Sequence, residues 1–564
     1  MAAATGASIF PLPAIDMPHM SFSRSRRLQA RTRSACQVTT IANDAISGLN
    51  SLYFSYRPPQ DRSNRPHTTV QSRVAAHIYS CAQRFHRRRQ AASQEAPSSD
   101  DSLASIILQD HLSHLSSASY SSNMTAVPLV ADRVALPSVA GAVDLLAALP
   151  PSVAEQYRSP SPLNLRSDAE RSHHVRPRVF AEHSEYVKLV RRLVAHSMVQ
   201  FTTSPQVING LFGVDKPDGS IRLIVDGRPA NETFVEPPHV ELPTPDLLPR
   251  LQVPANQSLY VAKSDLADFF YRFRIPEWMH PYFALPGIIS DEIGLQDKFG
   301  SGVLVYPCLT VLAMGWSHSV YLAQTAHEHL LNTATRLQPC DRITHSSDLL
   351  VNRMRHLVYI DDLLMFGTDP VHMEAVQAEY IRVAEVRGLP AKPSKVVRPT
   401  ADGVDCLGIE LTGRDHTLAP RAEKLDRLRL DTIALLRRGS CSGRDLECIV
   451  GRWTWVMLIA RPALACFSSV YHFMRCAGRR KFVIWGSVVR ELYIVACLSP
   501  LFISDLSSCW FPEVVATDAS LVGQGVVAAR VPQDVVEVAA RDAGSVAVKT
   551  VASLAVDQVL LDRP

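Results

Sequence analysis

The stretch from Val358 to Gly367, VYIDDLLMFG, sets Asp361 and Asp362 side by side between two apolar runs. Val358, Tyr359 and Ile360 precede the acids, Leu363 to Phe366 follow, and Gly367 ends the run. The pattern predicts a strand-turn-strand hairpin with the acids at the bend. Adjacent like charges repel, and burying them is costly unless something offsets the charge. A bound divalent cation is the usual answer, so other carboxylates should reach the same point. Asp265 is the candidate, since it closes an apolar strand 96 residues before Asp361. Strands laid side by side would bring the three carboxylates together. Such a layout suits two Mg2+ ions about 4 Å apart, for in-line phosphoryl displacement by a 3′-hydroxyl with pyrophosphate leaving.

The rest of the chain is read around that point. HSEYVKLVRRLVAHSMVQF, 183–201, has apolar residues at helical spacing and predicts an amphipathic helix. LFGV and IRLIV flank DKPDGS, a turn signal, and predict a hairpin over 210–231 with Lys216 and Arg222 near its tip. LYVAKSDLADFFYRFRIP, 259–276, reads as a strand entering a short helical segment. Gly315 breaks the 307–331 stretch before a helix, and 369–388 is a further helix. CLGIEL, 406–411, reads as one short strand kinked at its glycine. Residues 420–500 are mainly helical in pattern, and 513–530 returns to strand-turn-strand. An apolar, proline-punctuated stretch at 125–165 is expected to pack against the segments C-terminal to it.

With 564 residues the chain is too long for one core, so two to four domains are expected. Its 46% hydrophobic and 20% charged content suits a globular protein. The net charge of +4 hides an uneven distribution, because residues 1–99 hold thirteen Arg, no Lys and four acids. That Ser- and Ala-rich segment shows no sustained period and reads as a disordered basic tail over 1–130, with only a vague resemblance to a transit peptide. The eleven cysteines show no zinc spacing and fit a reduced, intracellular setting. His327-Glu328-His329 looks metal-like, but residues two apart on a helix point to different faces, so it reads as a surface feature. Arg490 and Glu491 interrupt the apolar run 482–503 and argue against a membrane span. GRWTWVMLIARPALACFSSVYHFM, 451–474, reads as core.

SDLADFF, MGWSHSV, YIDD, KPSK and CLGIEL occur in an order that resembles the reverse transcriptases of retroelements, over roughly residues 175–415. The resemblance implies an α+β right-hand polymerase. Fingers would lie at 175–260, palm at 261–415 and thumb or connecting helices at 416–510. The start of a ribonuclease H-like α/β domain would follow at 511–564. It implies an RNA-directed DNA polymerase working on an RNA or DNA template with primer and deoxynucleoside triphosphates, with two Mg2+ ions or Mn2+ in their place. Asp265, Asp361 and Asp362 would hold the metals, and Leu266 would support the second metal or the phosphates through its main chain. Phe270 falls where the family places an aromatic gate against a ribose 2′-hydroxyl. That ring and the tyrosine of the turn disfavour an RNA polymerase. Lys216 and Arg222 resemble the cations that grip the triphosphate. Asp226, Arg228 and Asn231 continue the hairpin pattern in a structural or template-contacting part.

Met314 and Gly315 correspond to the block beside nucleotide and template, where many retroviral members have glutamine in place of Met314. Trp316 beside them reads equally as packing or as a contact. Lys395 resembles the lysine that protonates the leaving pyrophosphate, although Lys392 is close by. CLGIEL resembles the hairpin that grips the primer end. Asp518 resembles the first metal-binding acid of a ribonuclease H domain. Only 46 residues follow it, so no ribonuclease H activity is expected from this chain alone. The alternative expectation is a non-catalytic nucleic-acid-binding relic of a retroelement. No membrane partner is expected, and Arg437, Arg438, Arg479, Arg480 and Lys481 are candidate phosphate contacts.

Overall fold

The computed structural model describes residues 9–18, 26–54, 68–95, 126–167, 178–216, 218–253, 256–344, 351, 353–508, 513–519 and 524–536. They form a mixed helix and strand fold in two compact units. The first unit comprises 1–116, 244–252 and 402–508, and the second 117–243, 253–401 and 509–564.

The second unit is built on a four-stranded antiparallel sheet in the order Val397–Thr400, Tyr260–Asp265, Asp362–Gly367, Arg355–Tyr359. Leu363, Leu364, Met365 and Phe366 are all fully buried. A central strand covered on both faces reads as a continuous apolar run rather than an alternating one, which is the pattern of LLMF. The helices Ser317–Ala334 and Pro370–Val386 pack on this sheet. The second starts cleanly because the Asp369 carboxylate accepts from the backbone N–H groups of Val371 and His372, with Pro370 in the first turn. The helix His183–Ala195 buries Tyr186, Val187, Leu189, Val190 and Leu193, the stripe its spacing predicts. Gly210–Asp215 and Ile221–Asp226 form the expected hairpin. Leu129, Val134, Leu145, Leu149 and Tyr157 enter the same core, so the 125–165 stretch packs as expected where it is described.

The first unit corrects the expectation of a disordered N-terminal tail. Arg26–Tyr53 and Thr69–Glu95 are long helices that pack against each other. Val38, Ile41, Ala42, Ala45 and Ile46 form a buried stripe on one, and Ala75, Ile78, Ala82 and Phe85 on the other. The helical period is present, but four of these nine residues are alanines and arginines occupy the remaining faces, so mean hydropathy stays low and hides it. These stripes meet Leu425, Leu428, Trp453, Phe473, Leu492 and Val495 of the helices Ala422–Arg438, Gly443–Met457, Ser468–Ala477 and Gly486–Leu498. Residues 451–474 are core as read: Trp453, Met457, Phe467, Val470 and Phe473 are buried.

CLGIEL is a turn between two strands rather than one kinked strand. Leu407 and Gly408 both adopt positive φ between Gly403–Cys406 and Ile409–Thr412. Among the described residues no single helix is long and apolar enough to cross a membrane. One pair, Gly443–Cys466 with Ser468–Ala477, passes by length and composition but is bent by 87°. Glu513–Ala519 and Gln524–Arg530 pair antiparallel, as the sequence predicts.

Candidate active site

The sheet register carries the site. Asp265 and Asp362 are direct partners across adjacent antiparallel strands, and Asp362 also faces Tyr359 across the hairpin. Cross-strand partners stand about 5 Å apart at Cα. Asp361 is the neighbouring residue in the bend, and its carbonyl accepts from the Leu266 N–H at 2.9 Å. The three carboxylates read from the sequence are therefore gathered at one end of the sheet.

Their electrostatics follow from crowding. Burial, reinforced by the charges of Asp265 and Asp362, pushes the Asp361 carboxyl up to about 6. Burial also raises Asp362, partly relieved by the Lys263 ammonium, whose Nζ donates to its Oδ2 at 3.1 Å. Asp265 is 4% exposed and takes a hydrogen bond from Lys395 Nζ. The Lys395 ammonium loses some proton affinity to burial, but the Asp265 hydrogen bond and the three nearby carboxylates outweigh that and raise its pKa. The Lys392 N–H donates to the Asp265 carbonyl at 2.7 Å, which fixes the 392–395 turn beside the strand. Of the two neighbouring lysines, it is Lys395 whose side chain reaches the carboxylates.

Among the described residues no group of three or more His, Cys, Asp or Glu side chains stands in an arrangement that could hold a metal ion as it is. The donors nevertheless fit a hard cation. They are carboxylate oxygens, two carry pKa values raised by burial and by the charge of Asp265, and Asp362 Oδ1 is buried without a hydrogen-bond partner. A buried, unpaired carboxylate oxygen is a costly arrangement that a cation would relieve.

The bend is held from beneath by residues the sequence reading missed. Ile360 adopts positive φ (56°), which a β-branched residue rarely tolerates. Its N–H donates to Gln324 Oε1 at 2.7 Å, and Gln324 Nε2 donates to the Val358 carbonyl at 3.1 Å. His327 Nδ1 lies 2.7 Å from the Ile360 carbonyl, and its Nε2 lies 2.9 Å from the Tyr380 hydroxyl. The reading of His327 as a surface feature is thus corrected: the ring is fully buried, and burial lowers its pKa to about 4. A neutral ring donating from Nδ1 to the Ile360 carbonyl accepts the Tyr380 hydroxyl proton at Nε2. His329 diverted attention, since the pair looked like a metal motif. The usable signal was the spacing of Gln324 and His327, one turn apart on one helix face. Gln377 similarly donates to the Lys263 carbonyl, Ser264 Oγ and the Val397 carbonyl, tying neighbouring strands together.

Phe270 is half-buried on the short helix Phe269–Arg272 that follows Asp265, and it packs against the core cluster. Gly315 takes φ +119°, and a Cβ there would lie 2.0 Å from the Val225 carbonyl oxygen. Gly227 faces the same crossing, where a Cβ would meet the Gly315 carbonyl at 2.5 Å. Asn231 pins the crossing, donating to the Gly315 carbonyl at 3.2 Å and accepting from the Ser317 N–H at 2.8 Å. The Met314 carbonyl accepts from the Val225 N–H at 2.9 Å, and its side chain is half-buried. Arg228 forks onto Asp226 at 2.7 and 2.6 Å, so these two residues serve each other. Trp316 is core: its ring stacks on His318 at 4.7 Å and meets Phe234 and Phe283 edge-on.

Lys216 and Arg222 flank the exposed tip of the 210–226 hairpin. Lys216 Nζ stands 3.6 Å from Asp218, and the Arg222 side chain is exposed, while the Tyr271 hydroxyl near it donates to the Leu223 carbonyl at 3.2 Å. No direct bond between either cation and the three carboxylates is seen among the described residues. Asp518 lies in the strand Glu513–Ala519 opposite Gly525, with its side chain outside what the structure describes.

A structure of a foamy viral protease-reverse transcriptase in complex with double-stranded DNA is similar at 16% identity and a TM-score of 0.45. The match covers 64% of this chain, which spans 56% of that one. No curated protein matches. The family model for reverse transcriptase (RNA-dependent DNA polymerase) matches residues 214–411, an interval that contains Lys216, Arg222, Asp265, Phe270, Gly315, Asp361, Asp362 and Lys395. By that match, residues 214–411 carry a reverse transcriptase domain.

Proposed function

We propose that the chain is an RNA-directed DNA polymerase that adds deoxynucleotides to a primer 3′-hydroxyl on an RNA or DNA template. The observation that carries this reading is the register of Asp265 opposite Asp362, with Asp361 beside them, inside the matched interval. Mg2+ or Mn2+ bound by these carboxylates would supply Lewis-acid activation of the hydroxyl and charge neutralisation at the phosphates.

The chain's own residues do the rest. Asp361 and Asp362 present acceptor oxygens whose burial beside the charge of Asp265 makes them avid for cations. Lys395, kept protonated by Asp265, stands where it can give its proton to a leaving pyrophosphate and return to Asp265. Lys216 and Arg222 bind the triphosphate by charge-assisted hydrogen bonds. The bare backbone of Gly315 admits close approach of the nucleotide or template. Phe270, five residues past Asp265, blocks a 2′-hydroxyl. In domain terms, 175–260 serve as fingers, 261–415 as palm and 416–510 as thumb and connection. Residues 511–564 open a ribonuclease H-like segment, with Asp518 as its first metal-binding acid. A helix pair over 26–53 and 69–95 is added to the thumb side.

The test is extension of a labelled DNA primer on RNA and DNA templates with Mg2+ or Mn2+. Wild type should extend, Asp361→Asn should not, and Phe270→Ala should gain ribonucleotide incorporation. Equal failure of wild type and Asp361→Asn under all conditions refutes the enzyme and leaves a binding relic.

A further inference from the structure

The sequence offers two separate basic clusters, 437–438 and 479–481. In the first unit they become one surface. Ser440–Ser442 pairs antiparallel with Lys481–Val483, with Ser440 opposite Val483 and Ser442 opposite Lys481. The Ile484 N–H donates to the Gly439 carbonyl at 3.0 Å, and the Arg444 N–H to the Gly478 carbonyl at 3.2 Å. These bonds bring the end of helix Ala422–Arg438 to the start of helix Gly486–Leu498.

The surface so formed is both cationic and aromatic. Arg437, Arg479, Arg480 and Lys481 are exposed. Asp445 answers part of the charge, but it is engaged by Arg438 at 3.5 Å and by the Ser442 N–H at 3.0 Å. Every residue of the strand Lys481–Val483 is exposed, an unusual state for RKFV. Phe482 is 47% and Val483 77% exposed. Trp485 is 39% exposed and is braced from behind by His472 at 5.3 Å and Phe473 at 5.2 Å, so its outer face is held in place. An isolated exposed ring is ordinary, whereas rings interleaved with four cations on a small paired strand call for a ligand that satisfies both.

We propose that this surface, centred on Phe482 and Trp485, binds single-stranded nucleic acid, with the arginines and Lys481 on the phosphates and the rings stacking on bases. A single strand is favoured over a duplex because only unpaired bases offer free faces to such rings. The ligand chemistry is shared by RNA and DNA, and binding is independent of sequence. The proposal does not rest on polymerase activity, since the surface lies on a different unit from the three carboxylates.

The test uses the full chain and labelled dT20, U20 and a 20-base-pair duplex, without nucleotides, read by fluorescence anisotropy across salt concentrations. Reversing Arg479, Arg480 and Lys481 to Glu should weaken dT20 and U20 at least tenfold. It should also reduce the slope of log affinity against log salt by about 2, given about 0.7 per phosphate contact on a single strand. Phe482→Ala should weaken both roughly 5- to 100-fold with the slope unchanged. Trp485→Phe should keep most of the affinity, which separates stacking from misfolding. Different affinities for dT20 and U20 would identify which strand is preferred. The idea is overturned if the charge reversal changes single-strand affinity less than twofold. It is equally overturned if Phe482→Ala is silent while the duplex binds as tightly as dT20, because the patch is then a plain backbone contact. Because no nucleotide is added, failure of primer extension leaves this outcome untouched.

Discussion

Two hairpins of the second unit solve the same problem by opposite means. At the tip of 210–226 the chain turns on local chemistry. Asp218 accepts from the Ser220 N–H at 3.0 Å, Gly219 takes positive φ, and the Lys216 N–H bonds the Ser220 carbonyl at 2.8 Å. Arg133 adds an outer brace at Asp215, 2.9 Å away. At the tip of 355–367 nothing local suffices. Ile360 is forced to positive φ, two acids sit next to it, and the bend is kept by Gln324, His327, Tyr380 and Leu266 from elsewhere in the chain. An exposed turn is stabilised by its own residues and by water, whereas a buried one needs partners for each polar atom it carries. The first hairpin should therefore forgive substitution, and the second should not.

The sharpest break in that comparison is at Asp361. Asp361→Asn is expected to lower primer extension on the order of 10^3-fold or more, in line with the loss of a central electrostatic group. It should also raise the melting temperature above pH 6 without divalent metal. The sign follows from the raised carboxyl: the folded state keeps its proton up to about 6, the unfolded state only to about 4. Stability from this group is fullest below pH 4 and falls as pH rises through 6. Removing the charge should return about 1–2 kcal/mol after allowance for partial exposure. A melting temperature at pH 7.5 that falls or stays flat in the variant would contradict the crowding of the three acids.

Next in size are the supports. His327→Ala should reduce kcat roughly 10- to 100-fold with KM for nucleotide little changed, the size of effect known for groups that orient a site from behind through a hydrogen bond. His327→Gln should recover part of it by restoring a donor to the Ile360 carbonyl. Arg133→Ala, which strips the brace of the other hairpin, should alter extension by less than about twofold and stability by less than about 0.5 kcal/mol. Equal losses at both positions would erase the contrast.

A smaller effect is expected at Lys216 and Arg222. Each, changed to Ala, should raise KM for nucleotide about tenfold through loss of a charge-assisted contact while leaving the melting temperature within a degree or so. A further contrast, in stability and not in activity, is the pH arm of His327. Its folded pKa, about 4, lies below the free value, so the folded state binds fewer protons and stability is lost as pH falls from about 6.5 toward 4. His327→Gln should flatten that acid arm in thermal melts, and an unchanged arm would place the titration elsewhere.

The carboxylate cluster was legible because charged residues at strand ends, bounded by apolar runs, have few structural readings, and Asp265, Asp361 and Asp362 each sit at such an end. The hairpins at 210–226 and 355–367 were legible for the same reason. His327 was not, because its spacing from Gln324 marks a shared helix face without saying what that face packs against. Its meaning lies in Ile360 and Tyr380, 33 and 53 residues away. The helices at 26–53 and 69–95 were missed because a stripe in which alanines alternate with larger residues among many arginines is weak, and it becomes a core only when a partner with larger side chains, such as Trp453 and Phe473, closes over it.

The crossing of Gly227 and Gly315 has a mechanical consequence. Two strands of chain touch there with no side chain between them, one leading from the 210–226 hairpin, the other opening the helix that carries Gln324 and His327. There is no compressible layer to absorb a shift. A displacement of the 210–226 hairpin would therefore pass, through bare backbone, to the helix that props up the acidic bend, with nothing soft between them to take it up.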